Sequence, residues 1–80
     1  MNPRPKRLKI LEDYRLKITF TNGEVKIYNM KTQINKEFYR SLNDVNVFQT
    51  AKIKDITIEW ENGIDIDPDE LYINSECASK

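Results

Sequence analysis

The residues best suited to chemistry in this 80-residue chain are four closely spaced carboxylates, Asp65, Asp67, Asp69 and Glu70. Clustered carboxylates bind Ca²⁺ or Mg²⁺, and a raised pKa in one of them would allow general acid–base catalysis. Their spacing matches the start of an EF-hand loop, but the sixth position of that loop falls at Glu70, where a glycine is needed. A carboxylate-based divalent metal site is therefore the third of the functions that we consider.

Other catalytic arrangements find little support in the sequence. The chain contains no histidine, which excludes Ser-His-Asp triads and histidine-ligated metal sites. Its two glycines, Gly23 and Gly63, each follow an asparagine in a turn and do not form a phosphate loop. Cys77 stands beside Glu76, whose negative charge disfavours the thiolate that a cysteine nucleophile requires. We expect a non-enzymatic protein without a cofactor.

The carboxylates sit next to residues with clear structural roles. Asn62-Gly63 favours a two-residue hairpin turn, because glycine tolerates positive φ. Asp67 is placed to cap a helix that Pro68 begins, and Glu70 follows at capping-box spacing. Trp60 ends the alternating run of Ile56 and Ile58, which predicts a strand with Trp60 as a core anchor, in register with Phe20.

The rest of the chain follows the same logic. Leu16, Ile18 and Phe20 alternate with polar residues, and Asn22-Gly23 then turns the chain into a return strand. Ile34, Phe38 and Leu42 recur every four residues, as on one stripe of a short helix. Residues 8–11 and 47–53 resemble further strands. These elements predict an α+β fold, in which a small antiparallel sheet of about five strands has one short helix packed on one face.

The charge is distributed unevenly although Lys and Arg balance Asp and Glu at 13 each. Residues 55–70 contain seven acids and no base, and we expect Glu59, Glu61 and Asp65 to face a binding partner. The first seven residues form a flexible basic arm in our interpretation, residues 8–74 a single domain and residues 75–80 a polar tail. The second function that we consider is a DNA-binding or regulatory module, in which the basic arm contacts nucleic acid through Arg4, Lys6, Arg7 and Lys9.

The setting expected from the sequence is the cytoplasm. No apolar run approaches the length of a membrane span, and the basic N-terminus is not followed by the apolar stretch of a signal peptide. The partner we expect is another small protein, with a homodimer through a sheet edge as an alternative. We expect no membrane partner, and nucleic acid is not our first choice of partner.

One long pattern carries a resemblance to a known family. Residues 60–72 have the form Trp-x-Asn-Gly-x-Asp-Ile-x-Pro-Asp-x-Leu-Tyr, and upstream the chain has Tyr14-x-Leu16-x-Ile18-x-Phe20 and Asn22-Gly23-Glu24-Val25, followed by Phe38, Leu42 and Phe48. From about Leu8 to Tyr72 the chain resembles the domain-of-unknown-function family DUF2442, a group of small bacterial proteins. The resemblance implies the fold but no activity. Some relatives look like partners of a second small protein in toxin–antitoxin-like pairs, so it also implies an antitoxin-like interaction domain.

Overall fold

The computed structural model describes residues 3–34 and 36–77, and their architecture is α+β, as the sequence predicts. The described strands are β1 (Pro5–Leu11), β2 (Arg15–Phe20), β3 (Val25–Asn29), β4 (Lys52–Lys54), β5 (Thr57–Glu59) and β6 (Glu76–Cys77). The helical elements are the 3₁₀ segments Met30–Thr32 and Glu37–Asn43 and the α-helices α1 (Val45–Phe48) and α2 (Pro68–Asn74).

The strands divide between two antiparallel sheets instead of forming one sheet of about five. The larger sheet has the order β1-β2-β3-β6, and the smaller one pairs β4 with β5. After β5 the chain turns and returns beside it, where Asp65 bridges to Glu59 and the Ile66 N–H donates to the Ile58 carbonyl at 3.2 Å. Two layers form because each sheet has one apolar face to bury against the other layer.

The core lies between these layers. On β2, Leu16, Ile18 and Phe20 are fully buried while Arg15 and Lys17 are exposed, which is the predicted alternation. The buried apolar side chains are Leu16, Ile18, Phe20, Tyr28, Met30, Ile34, Tyr39, Leu42, Phe48, Ile58, Trp60, Ile66 and Leu71. Both layers contribute to this set, so the smaller sheet and the helices are held to the larger sheet mainly by apolar burial.

The two Asn-Gly turns share one geometry, which differs in length from our expectation. Gly23 and Gly63 have φ values of 91° and 89°, the positive values that only glycine adopts without strain. Each glycine N–H donates to the carbonyl three residues earlier, at 3.0 Å in the first turn and 2.9 Å in the second. The N–H of that earlier residue donates to the carbonyl after the glycine, at 2.8 Å in both turns. These are three-residue turns closed by a left-handed glycine, not two-residue turns.

Both chain ends of the domain differ from the expected boundaries. β1 begins at Pro5, which pairs with Phe20, so residues 5–7 belong to the sheet and not to a flexible arm. Arg4, just before β1, is also hydrogen-bonded, because its carbonyl accepts from the Thr21 N–H at 2.8 Å. At the other end, β6 pairs with β3, so residues 76 and 77 also lie in the sheet. These two segments pair with backbone N–H and C=O groups of β2 and β3 that would otherwise lie unpaired at a sheet edge.

The middle of the chain contains two further differences. The predicted helical stripe consists of Ile34, Phe38 and Leu42. Leu42 lies in the 3₁₀ segment Glu37–Asn43, Ile34 precedes that segment, and the Phe38 side chain lies outside the described residues. Residues 45–48, which overlap the strand expected over 47–53, form α1 instead, because the Asp44 side chain caps it by accepting from the Asn46 N–H at 2.9 Å. Within that stretch only Lys52–Lys54 is a strand.

The strand expected to run from Ile56 to Trp60 is also shorter. Asp55 has a left-handed φ of 55°, so the chain turns at residues 55 and 56, and Ile56 is 40% exposed. Trp60 follows β5 and is 1% exposed, but the aromatic neighbour of Phe20 is Tyr72, at 5.1 Å between ring centroids. Among the described residues, no helix has the length and apolar character needed to cross a membrane.

Candidate functional site

A groove of about 380 Å³ lies between β5 and the start of α2. We name it the acidic groove, and its lining residues are Lys54, Asp55, Ile56, Thr57, Glu59, Asp65, Ile66, Asp67 and Pro68. Four of these residues are carboxylates and three are apolar. The groove therefore combines negatively charged side chains with apolar ones.

Local backbone structure places each carboxylate of the acidic groove. Asp55 occupies the left-handed turn between β4 and β5. Glu59 ends β5, and Asp65 stands beside it on the returning segment. Asp67 caps α2, since its Oδ1 accepts from the backbone N–H groups of Asp69 at 2.9 Å and Glu70 at 3.3 Å. Asp67 is thus committed to the fold, as its position before Pro68 predicted.

One carboxylate of the groove has a cationic neighbour. The Lys54 Nζ lies 3.3 Å from the Glu59 Oε1, and the Glu59 side chain is 21% exposed. The acidic stretch that begins at Asp55 is therefore partly neutralised by the residue just before it. A pair this open to water contributes little to stability, so the groove keeps its overall negative charge.

The structure brings together only two of the three residues expected to bind a partner. Glu59 and Asp65 face the same groove, as neighbours across the smaller sheet. Glu61 lies in the exposed turn that follows Trp60 and does not line the groove. Its backbone N–H donates to the Thr50 hydroxyl at 3.1 Å. Glu61 is the first residue of the three-residue turn and so lies outside the strand pairing that places Glu59 beside Asp65.

The carboxylates do not converge as a metal site requires. Among the described residues, no three side chains of Asp, Glu, Cys or His approach one another closely enough to hold a metal ion. In the segment that resembles an EF-hand loop, residues 68–74 instead form α2, and Asp67 is occupied as its cap. A calcium loop needs its alternate carboxylates to turn inward on one ion, and a helix starting at the fourth position prevents this.

Three of the four basic residues expected to contact nucleic acid lie on the larger sheet, and Arg4 precedes its first strand. Lys6 occupies an irregularity of β1 between Pro5 and Arg7, and Arg7 and Lys9 follow on the same strand. Lys9 is directly opposite Lys17 of β2. The sheet thus joins two groups of basic residues that are separate in the sequence, and this cross-strand arrangement could not be seen from the first group alone.

With the fold and both charged surfaces described, the chain can be compared with known proteins. The model of a family described as proteins of unknown function, DUF2442, matches residues 5–76. The chain belongs to the DUF2442 family. No curated protein and no solved structure matches it. The DUF2442 match begins at the first residue of β1 and ends at the first residue of β6, so it spans both sheets.

This DUF2442 domain has a second cavity that the sequence did not indicate. It measures about 510 Å³ and lies between the β1–β2 turn and α1, where Leu11, Tyr14 and Val45 are among its lining residues. Asp13 and Tyr14 both have positive φ, at 64° and 61°. The Tyr14 hydroxyl donates to the Asn43 carbonyl, and its ring packs edge-on against Phe48 at 5.2 Å. These contacts hold a backbone conformation that is unfavourable for a bulky residue.

Among the described residues, four side chains of this domain have perturbed pKa values, and one of them responds to the acidic groove: burial, and then the charges of Glu70, Asp65 and Asp67, raise the pKa of the Tyr39 hydroxyl. A hydrogen bond from the Tyr72 hydroxyl, with further help from Asn22, lowers the pKa of the Glu24 carboxyl, and the same bond to Glu24 raises the pKa of Tyr72. Burial, and then the charge of Glu70, raises the pKa of the Tyr28 hydroxyl. These shifts come from fold contacts, so they do not indicate a catalytic acid or base.

Proposed function

We propose that this chain is a non-enzymatic protein-interaction domain that binds a small basic protein in the acidic groove. The observation that carries the proposal is an exposed apolar side chain, Ile56, within a rim formed by Asp55, Glu59 and Asp65. Apolar centres surrounded by polar rims are the usual anatomy of protein interfaces. A lysine- or arginine-rich segment with one apolar side chain would complement both parts of the groove.

The two parts of the groove have different roles in this proposal. Burial of Ile56 supplies affinity, because 40% of its surface is exposed in the free domain and would leave water on binding. The rim carboxylates act mainly on the association rate and make it sensitive to salt. Mutations of Ile56 and of the rim are therefore expected to change different kinetic constants.

The finer part of the proposal concerns the kind of partner. A nuclease-like toxin has a basic surface for its nucleic-acid substrate, and the acidic groove is complementary to such a surface. This complementarity supports an antitoxin-like role in a two-protein system of the bacterial cytoplasm. The domain would then inhibit its partner by occupying the basic surface, with no chemistry of its own.

The test compares groove variants with a matched control outside the groove. The charge variant is Glu59→Gln with Asp65→Asn, the apolar variant is Ile56→Ser, and Glu61→Gln is the control. Each immobilised protein captures partners from the native host, captured proteins are identified, and binding of the purified partner is followed at several salt concentrations. Thermal melts establish that each variant is folded.

The expected result is a basic partner whose association slows in the charge variant and whose dissociation quickens in the apolar variant, with the control unchanged. Loss of the rim should also reduce the salt dependence of the association rate. If the groove variants bind the same partner with unchanged rates and salt dependence, the acidic groove is not the binding site and the proposal fails.

A second candidate is a homodimer formed at a sheet edge. Among the described residues, β6 pairs with β3 at Lys26 and Ile27, and Tyr28 and Asn29 at the same edge have no strand partner there, so their backbone groups could pair with another chain. Sedimentation over a range of concentrations tests this. A monomer at all concentrations would exclude the edge-paired dimer and leave the proposal for the acidic groove intact.

A further inference from the structure

The outward face of β1 and β2 carries four basic side chains, Arg7, Lys9, Arg15 and Lys17, which we name the basic face. The antiparallel register places Lys9 directly opposite Lys17, with Arg7 opposite Thr19 and Leu11 opposite Arg15. All four basic residues are exposed, while the alternate residues Leu16 and Ile18 are buried. The strand period therefore directs all four charges to one surface.

The basic face is unfavourable for the isolated domain. Like charges directly opposite each other on neighbouring strands destabilise a sheet, and Lys9 and Lys17 form such a pair. Within the described residues, none of the four side chains forms an ion pair. Arg15 makes only a hydrogen bond, from its Nε to the Glu12 carbonyl at 3.3 Å. The face thus holds uncompensated positive charge, although the whole chain is neutral.

The spacing of these charges suits a phosphate backbone. Residues two apart on a strand are separated by about 6.7 Å, and neighbouring strands by about 4.8 Å. From Arg7 through Lys9 and Lys17 to Arg15, the charges follow a path whose two ends are about 14 Å apart in a straight line by these spacings. One strand of duplex DNA presents a phosphate about every 3.4 Å along its axis, so the path covers about four phosphates.

The same face lacks the features of other nucleic-acid sites. Its positions on β1, β2 and β3 hold no aromatic side chain on which an unpaired base could stack. The basic residues that make up this face lie on the strands β1 and β2, and among the described residues none of the four lies on a helix that could read base edges in a groove. Glu76, opposite Ile27, brings a negative charge at the far edge and restricts the footprint to β1 and β2.

We infer that the basic face binds the phosphate backbone of duplex DNA without reading its sequence. Charge complementarity and spacing carry this inference, and it is independent of the partner proposed for the acidic groove. The acidic groove lies on β5 and α2, in the other layer of the fold, so both surfaces can be occupied together.

Fluorescence anisotropy with a labelled duplex of random sequence tests the inference. We expect the association constant to fall about 150-fold between about 50 and 200 mM salt, because each of four phosphate contacts contributes a slope of about −0.9. The test variant Lys9→Gln with Lys17→Gln should weaken binding at low salt and reduce that fall to about 10-fold, as expected for two contacts.

The matched control is Lys36→Gln with Arg40→Gln, which makes the same change in net charge on exposed residues at the 3₁₀ segment Glu37–Asn43. The salt dependence of its association constant for duplex DNA should lie closer to that of the parent than to that of the test variant. Thermal melts should show the test variant at least as stable as the parent, since a like-charge pair has been removed.

Four results would overturn the inference. The parent protein could show no duplex binding at low salt, or the control could lose as much affinity and slope as the test variant, which would indicate net charge alone. Tighter binding to a single strand than to the duplex would equally contradict it. Self-association that the Lys9 and Lys17 changes abolish, without duplex binding, would assign the basic face to the acidic groove of a second copy.

Discussion

Replacing Trp60 by alanine tests the packing that holds the two layers together. The indole is 1% exposed, and its Nε1 donates to the Phe48 carbonyl at 2.9 Å. Its ring also packs against the Phe48 ring, with centroids 6.0 Å apart. The substitution therefore removes buried apolar surface, an aromatic contact and the hydrogen-bond partner of a buried carbonyl.

The expected loss follows from these contacts. Truncating a buried Trp or Phe to alanine costs about 3–5 kcal/mol, and leaving a buried acceptor unpaired costs about 1–3 kcal/mol. Because the truncation cost already includes part of the lost hydrogen bond, the two costs do not add in full, and we expect about 4–5 kcal/mol for Trp60→Ala. A domain of this length is stable by about 4–12 kcal/mol, so the substitution should remove at least about a third of the free energy of unfolding.

Urea denaturation followed by circular dichroism measures this loss. Fluorescence is unsuitable because Trp60 is the only tryptophan of the chain. Trp60→Phe keeps a ring but removes the indole N–H, so it should cost about 1–3 kcal/mol. Ile73→Ala is the control, since Ile73 is 66% exposed and its loss should change the free energy of unfolding by no more than about 0.5 kcal/mol.

A loss below about 1 kcal/mol in Trp60→Ala would refute the assignment of Trp60 to the core, because even the smallest buried aromatic truncations cost more. An equal loss in the Ile73→Ala control would show that the domain responds to any apolar truncation. In that case the measured loss would not report on the contact between Trp60 and Phe48.

Three further substitutions test separate features of the fold. Gly63→Val should cost about 1–2 kcal/mol through its positive φ alone, since a Cβ there meets nothing within 4 Å. Gly63→Asn should cost less, because asparagine tolerates positive φ better than valine. A melting temperature of Gly63→Val equal to that of the parent would contradict this. Tyr72→Phe removes the bond that lowers the pKa of Glu24. Between about pH 6 and pH 9 its destabilisation should therefore be constant, and it should shrink as the pH falls through the ordinary pKa range of a glutamate. A difference that does not change over this acidic range would count against the pairing. Tyr28→Phe removes a buried hydroxyl that has no partner among the described residues, so at pH 7 stability should stay unchanged or rise by up to about 1 kcal/mol. Because the pKa of Tyr28 is raised in the folded domain, the parent should lose stability above about pH 10, and Tyr28→Phe should lose less. If both proteins lose the same free energy of unfolding above that pH, the burial of the Tyr28 hydroxyl is refuted.

Local features were predictable from the sequence because they depend on residues close along the chain. The alternation of Leu16, Ile18 and Phe20 requires only the two-residue period of a strand. The cap by Asp67 before Pro68 depends on a few neighbouring backbone groups. Positive φ at Gly23 and Gly63 follows from the same short-range steric rule, although the length of both turns was not foreseen.

Charge separation along the chain was also visible, but its arrangement in space was not. Which strand pairs with which depends on contacts between distant residues, whose formation costs chain entropy that no local pattern reports. The pairing of β1 with β2 turned an expected arm into half of the basic face. The bridge between Glu59 and Asp65 selected two of three expected carboxylates for the acidic groove and left Glu61 outside it.

The sequence by itself determined the α+β class, the family, the turn glycines and the helix that starts after Asp67. Only the tertiary structure decided that the strands form two sheets, that residues 45–48 are helical and that Ile56 is exposed. The physical reason is the same throughout. Steric and capping preferences act within a few residues, whereas sheet partners and surfaces are selected by burial of apolar faces across the whole chain.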